Sequence, residues 1–254
     1  MSNGRPNSVN NTGPLRRQLA GLGVRAAGAP LPCFGERLAR LFDLSDTVAL
    51  DAANVASRDG HFGADGKAAE RLRAELEKLR QSQRDAIEAS VTAERIGTRN
   101  GLPAPEAGPS PAEPPDFEPY RRFYQSKQRQ MAAAVPPLRL KARGALTDHG
   151  PALARLARID AVLDNTLTGY KGFGAVPGVL EKRFLALWPD RQHSLLSDTP
   201  GDDPRDWMKE GAWLHRFCQE MKTLLLAELD TRLEPVQGLL MALESAHNDP
   251  QGPQ

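Results

Sequence analysis

The chain has 254 residues, 40% of them apolar, and a formal net charge of +1. That is enough chain to bury one large core or two small ones, so wholesale disorder is excluded, and near-neutrality gives no partner from bulk charge alone. No run of eighteen apolar residues exists to cross a bilayer, and MSNGRPNSVNNTG has no apolar stretch of the secretory kind, so the expected compartment is the cytoplasm, without membrane insertion.

Residues 1–14 are polar, with Gly and Pro, and are expected to form a disordered tail. Leu15 to Leu22 can form one short helix, which Pro30 to Pro32 ends. Gly35 to Leu44 places Leu38, Leu41 and Phe42 at helical spacing. Ser45 or Asp46 then caps a helix carrying Val48, Leu50, Ala53 and Val55. Gly60, Gly63 and Gly66 mark a loop. Lys67 to Ile96 reads as a surface helix, with Leu72, Leu76, Leu79, Ile87 and Val91 on one side and charges of both signs elsewhere. Together, residues 15–96 form an N-terminal helical region.

Residues 97–115, GTRNGLPAPEAGPSPAEPP, are too rich in Pro and Gly to hold a helix and read as an exposed, partly extended linker. A C-terminal helical domain is expected over 116–246. Asp116 to Val135 is helical, with Phe117, Tyr120, Tyr124, Met131 and Val135 roughly in phase. Pro136-Pro137 is expected to restart the chain into a second helix over Leu138 to Leu146. Gly150-Pro151 does the same for Leu153 to Leu167, where Leu153, Leu156, Ile159, Leu163 and Leu167 form a stripe. Gly169 to Gly178 is a bend, and Val179 to Trp188 carries Leu180, Phe184 and Leu187.

After a polar loop over Ser197 to Pro204, Asp206 is expected to open the longest helix. Leu214, Cys218, Met221, Leu225, Leu229, Leu233, Val236, Leu240 and Leu243 recur there every three or four residues. This stripe is either core or a partner-binding surface. It keeps phase across Pro235, which predicts a kink there and not an end. Residues 247–254 form a second tail. The pattern as a whole predicts an all-α protein, an antiparallel helical bundle or coiled-coil-like set of long helices with disordered tails.

Chemistry is sparse. Of His61, His149, His193, His215 and His247, only His215 sits at ligand spacing from a cysteine, Cys218, and no further zinc ligands are nominated. Cys218 and Cys33 are not expected to pair, and Cys218 reads as a small buried hydrophobe. No nucleophile elbow or Cys/His signature occurs. Thr168 to Gly178 sets Lys171 among glycines, but it follows a helix and lacks the phosphate-loop pattern, so it reads as a connector. Asp160 and Asp164, four apart on one helix, would split their pKa values and bind metal if both faced a cavity; otherwise they face water or an Arg. No catalytic residue, metal or cofactor is expected.

The basic stretch from Tyr120 to Arg143 is the best functional signal. Arg121, Arg122, Lys127, Arg129, Arg139, Lys141 and Arg143 occur without an acidic residue, beside Phe117, Tyr120, Phe123 and Tyr124. Such a segment can neutralise phosphates and stack its aromatics on exposed bases, as sensing of invading DNA would require. Residues 198–250, by contrast, hold eleven Asp/Glu against five Lys/Arg. A basic helix packed beside that acidic one satisfies both, and whole-chain neutrality favours this internal pairing.

The segments FCQEMKTLLLAELDTRLEPVQGLLMALES (Phe217 to Ser245), FEPYRRFYQSKQRQM (Phe117 to Met131), ARIDAVLDNTL (Ala157 to Leu167), LEKRF (Leu180 to Phe184) and GERLARLFDLSDTVALDAAN (Gly35 to Asn54) look like an uncharacterised bacterial helical family. That family resembles the accessory, ZorF-like protein of third-type Zorya anti-phage systems. The resemblance implies a cytoplasmic defence component working with the MotA-like and MotB-like subunits of a membrane motor or with a second accessory protein. It brings no catalytic residues. The implied role is a non-enzymatic accessory or adaptor that binds partners through helical surfaces. DNA sensing through the basic segment is the alternative, a nuclease centred on Asp160 and Asp164 comes third, and self-association is left open.

Overall fold

The computed structural model describes residues 13–22, 44–54, 67–109, 113–168, 172–190 and 203–248. The helix expected over 35–44, together with Cys33, Val55, His61, Gly169, Lys171, His193 and the outer parts of both tails, lies outside the described residues except for Leu44 itself. Among the described residues there are seven α-helices and no strand: α1 Pro14–Gly21, α2 Leu44–Asn54, α3 Ala68–Ser90, α4 Glu118–Thr147, α5 Pro151–Thr168, α6 Val176–Leu187 and α7 Trp213–Asn248. The all-α expectation holds, because segments with apolar residues every three or four positions bury them only against other rods.

The centre of the bundle is α7. It packs against α1, α3, α4, α5 and α6. Its predicted stripe, from Leu214 to Leu243, is buried throughout, and Phe217, Leu224, Ala227 and Leu239 widen it. The stripe is therefore core, and no part of it is left for a partner. Each fully buried Leu contributes about 1.5–3 kcal/mol, so this helix supplies much of the apolar stabilisation. At one end of α7 seven aromatic rings meet: Phe117, Tyr120, Phe184, Trp188, Trp207, Trp213 and Phe217, with centroids 5.1–6.2 Å apart. Their tilted and edge-to-face arrangement suits the ring quadrupoles.

Several boundaries differ from expectation. α3 ends at Ser90, whose Oγ donates to the Ile87 carbonyl, and a short 3-10 turn covers Ala93–Arg95. The start of the Pro-rich stretch, residues 97–102, then folds back. The Leu102 amide donates to the Ser90 carbonyl at 3.0 Å, the Gly97 amide donates to the Leu102 carbonyl at 2.7 Å, and Leu102 is fully buried. Leu72, Leu76 and Ile87 share one apolar cluster with α4, α6 and α7, so the core is continuous across this stretch and does not part there.

The restart expected at Pro136-Pro137 does not occur: α4 runs through both prolines for thirty residues. Missing amides at 136 and 137 free the carbonyls four residues back, on Ala132 and Ala133. All four residues are exposed, so water can satisfy those carbonyls. On the opposite side Met131, Val135, Leu138, Ala142 and Leu146 stay in phase and buried, which holds the helix together. α7 likewise continues through Pro235. Its start moves the other way. Asp206 lies in a short 3-10 turn over Pro204–Met208, and Gly211, at φ +83°, intervenes before the helix begins at Trp213.

Candidate functional site

The seven cations of the basic segment all sit on α4, but they do not form one free positive face. Arg139 grips Asp160 with two hydrogen bonds, from Nε at 2.9 Å and Nη2 at 2.6 Å, and reaches Asp164 through Nη1 at 2.5 Å. Arg143 Nη1 donates to Asp164 at 3.0 Å and to Asp160 at 3.3 Å. Arg121 bridges Glu118 and Glu181, and its guanidinium lies 5.5 Å from the Phe117 ring centroid. Arg122 bonds Glu118 at 3.1 Å, and Lys141 bonds Glu75 at 2.6 Å. Lys127 points inward, donates to the Ala86 carbonyl at 3.4 Å and lies 5.5 Å from the Phe123 ring centroid. Arg129 is exposed and has no ion-pair partner among the described residues.

Internal pairing thus claims most of the segment, but not with the helix that the charge balance suggested. α4 and α7 do pack together, yet the acids of α7 turn to other arginines. Glu220 takes a bidentate pair from Arg183, Asp230 lies near Arg80 and Arg84, and Glu244 meets Arg73. The basic side chains of α4 reach α3, α5 and α6 instead.

The same geometry decides the carboxylate pair. Asp160 and Asp164 share one face of α5, as their spacing requires. They face Arg139 and Arg143 of α4, in a half-buried four-membered network and not an open cavity. Two acids matched by two guanidiniums have little capacity left for an added cation or for proton transfer. Leu153, Leu156, Ile159 and Leu163 on the apolar stripe of α5 are only half-buried, and α2 lies against that helix, with the Thr166 hydroxyl donating to Asp46 at 2.8 Å. Asp46 thus lies in the first turn of α2 instead of capping it.

Sequence reasoning missed a buried network on α4 and α7. Glu228 is fully buried. Its Oε2 accepts from the Tyr124 hydroxyl at 2.8 Å and from Gln128 Nε2 at 2.9 Å. Its Oε1 accepts from Arg232 Nε at 2.9 Å and Nη2 at 2.7 Å. Gln128 also donates to the Phe173 carbonyl, and the Arg232 guanidinium lies 4.1 Å from the Phe173 ring centroid. Burial, and then the negative charge of Glu228, hold the Tyr124 hydroxyl well above the usual tyrosine range. The only hint in the sequence is a Glu–Arg pair four apart within an apolar stripe. This arrangement is a well-satisfied structural brace.

The outer side of α4 was also overlooked. Ala132, Ala133, Pro136, Pro137, Leu140 and Gly144 are all exposed on the side facing away from the core, with Leu140 at 64%. Among the described residues no group of three or more His, Cys, Asp or Glu is placed to hold a metal ion. His215 contacts Gln219, and Cys218 is buried, with its thiol pushed up to about 12 by burial. Among the described residues no helix is long and apolar enough to cross a membrane.

A family model described as "Protein of unknown function (DUF3348)" matches residues 1–245, and the chain belongs to that family. No curated protein and no solved structure matches the chain.

Proposed function

We propose that this DUF3348-family chain is a non-enzymatic adaptor whose α4 presents a docking face for a partner helix. The observation that carries the reading is the exposed apolar strip from Ala132 to Gly144, centred on Pro136, Pro137 and Leu140. The core has no use for it, since the inward side of the same helix is already filled. Contiguous apolar surface on a folded protein marks interaction sites, and a helical strip is matched by anchors spaced three or four apart on the incoming helix. The sequence resemblance suggests the partner class: a cytoplasmic part of a MotA-like or MotB-like motor subunit, or a second accessory protein, in a third-type Zorya anti-phage system. What weighs against a reaction centred on Asp160 and Asp164 is their engagement by Arg139 and Arg143.

The test is co-purification from cells carrying the complete system, read alongside phage plating. Leu140→Glu is expected to abolish both capture of the partner and protection, while Met241→Glu, at an exposed position on α7, leaves both intact. Undiminished capture with Leu140→Glu would overturn the reading. Sensing of phage DNA remains the second reading, favoured by the exposed Arg122 and Arg129. Absence of any mobility shift on duplex or single-stranded DNA at low salt would remove it.

A further inference from the structure

We propose that the cleft between the turn at residues 98–101 and the first half of α4 binds a phosphoryl anion. This site goes beyond the adaptor reading and does not depend on it. The cleft encloses about 350 Å³, within the size range of ligand sites, about 300–1,000 Å³. Arg99, Arg122, Lys127 and Arg129 line it, with Ser126 and Gln130 as neutral donors, and no acidic residue does. In a chain with almost equal numbers of acids and bases, four cations around one concavity concentrate positive potential where low-dielectric walls focus it.

Lys127 is the most telling member. The residue is only 6% exposed. A buried ammonium carries three donors and ordinarily has a carboxylate partner. Here it has one long hydrogen bond, to the Ala86 carbonyl at 3.4 Å, and a ring contact with Phe123. Burial, and then the nearby Arg95, make its charged form harder to hold. An anion in the cleft would supply the missing counter-charge. Of the other three, Arg129 has no ion-pair partner among the described residues, and the bridge from Arg122 to Glu118 is solvent-exposed and so readily exchanged.

The facing wall is fixed in place. Gly97 has φ +77°, the Gly101 amide donates to the Thr98 carbonyl, and the Thr98 hydroxyl and amide both donate to the Arg95 carbonyl. A Cβ on Gly101 would lie 1.7 Å from the Arg95 carbonyl oxygen, so only glycine lets the chain turn this tightly beside α4. Phosphoryl oxygens suit this lining, because Arg and Lys donors, backed by neutral hydroxyl and amide groups, match several acceptors at once. Two sources carry that chemistry, a free phosphorylated ligand such as a nucleotide and the backbone of a strand.

The full-length chain is titrated with pyrophosphate, a nucleoside triphosphate and a short single-stranded oligonucleotide in low-chloride buffer, followed by calorimetry and thermal shift. At least one probe is expected to bind with Kd below about 1 mM. Arg99→Ala/Arg129→Ala, at two exposed positions, is expected to weaken it at least about tenfold without changing the melting temperature of the unliganded protein. Lys127→Met is expected to lose binding while the unliganded melting temperature holds or rises, because an under-partnered buried charge has been removed. Triphosphate binding without oligonucleotide binding identifies a free ligand, whereas oligonucleotide binding that falls steeply with salt identifies a strand. Failure of all three probes, or equal affinity in the Arg99→Ala/Arg129→Ala variant, would overturn the proposal.

Discussion

Glu228 and Lys127 are both buried charges, yet they are held in opposite ways. Glu228 has donors on both oxygens from three side chains, whereas Lys127 has one long bond to a carbonyl. Removing the guanidinium with Arg232→Met leaves Glu228 charged and only partly satisfied. The expected loss is roughly 3–5 kcal/mol in urea unfolding, against about 1 kcal/mol for Tyr124→Phe. Tyr124 and Tyr120 also set an alkaline limit. Burial raises both hydroxyls in the folded state, so their contribution is complete below the unfolded tyrosine value, roughly 10. It is lost as the pH climbs through the folded values. Urea midpoints are expected to fall between pH 9 and pH 11 (roughly the span of that titration), and to fall less in Tyr124→Phe. These pairings were not legible in the sequence, because the pairing of Asp160 with Arg139 depends on how two helices face each other and not on spacing along one.

At the scale of elements, the periodic signals carried furthest and the breaker residues misled. The stripes of α3, α4 and α7 were readable because burial enforces the helical repeat. Pro136 and Pro137 were read as a restart because proline is judged by the bonds it removes. Here Ala132 and Ala133, which carry the freed carbonyls, are exposed residues, so the cost falls where water can relieve it. The cost is still present. Pro136→Ala/Pro137→Ala is expected to stabilise the chain by about 2–3 kcal/mol, short of the full propensity difference of about 3 per residue. Chemical denaturation checks this, and the adaptor reading expects the same variant to bind its partner less well. The stretch at 97–115 misled in another way. One apolar residue, Leu102, anchors it, and a single leucine among prolines and glycines has no periodicity to reveal it.

For the molecule as a whole, the shared cluster makes a definite expectation. Leu72 and Leu76 of α3 lie in the same core as the aromatic group around Phe184 and Phe217. Unfolding followed by tryptophan fluorescence, which reports that aromatic end, and by helical circular dichroism should therefore give coincident transitions. Two separated midpoints would mean that α3 folds as its own unit. Leu225→Ala, in the fully buried centre of α7, is expected to cost roughly 2–5 kcal/mol and to shift both signals together.

The central place of α7 also bears on how the protein is made. Synthesis runs from the N-terminus, so α1, α3, α4, α5 and α6 leave the ribosome before the helix against which all of them pack. Their greasy sides must wait uncovered until residues near 243 emerge, which at roughly 5–20 residues per second is a delay of several seconds or more after α4 appears. Nascent chains halted before α7 should be held by chaperones or cleared by proteases, and the finished polypeptide should gain its protease resistance late and all at once.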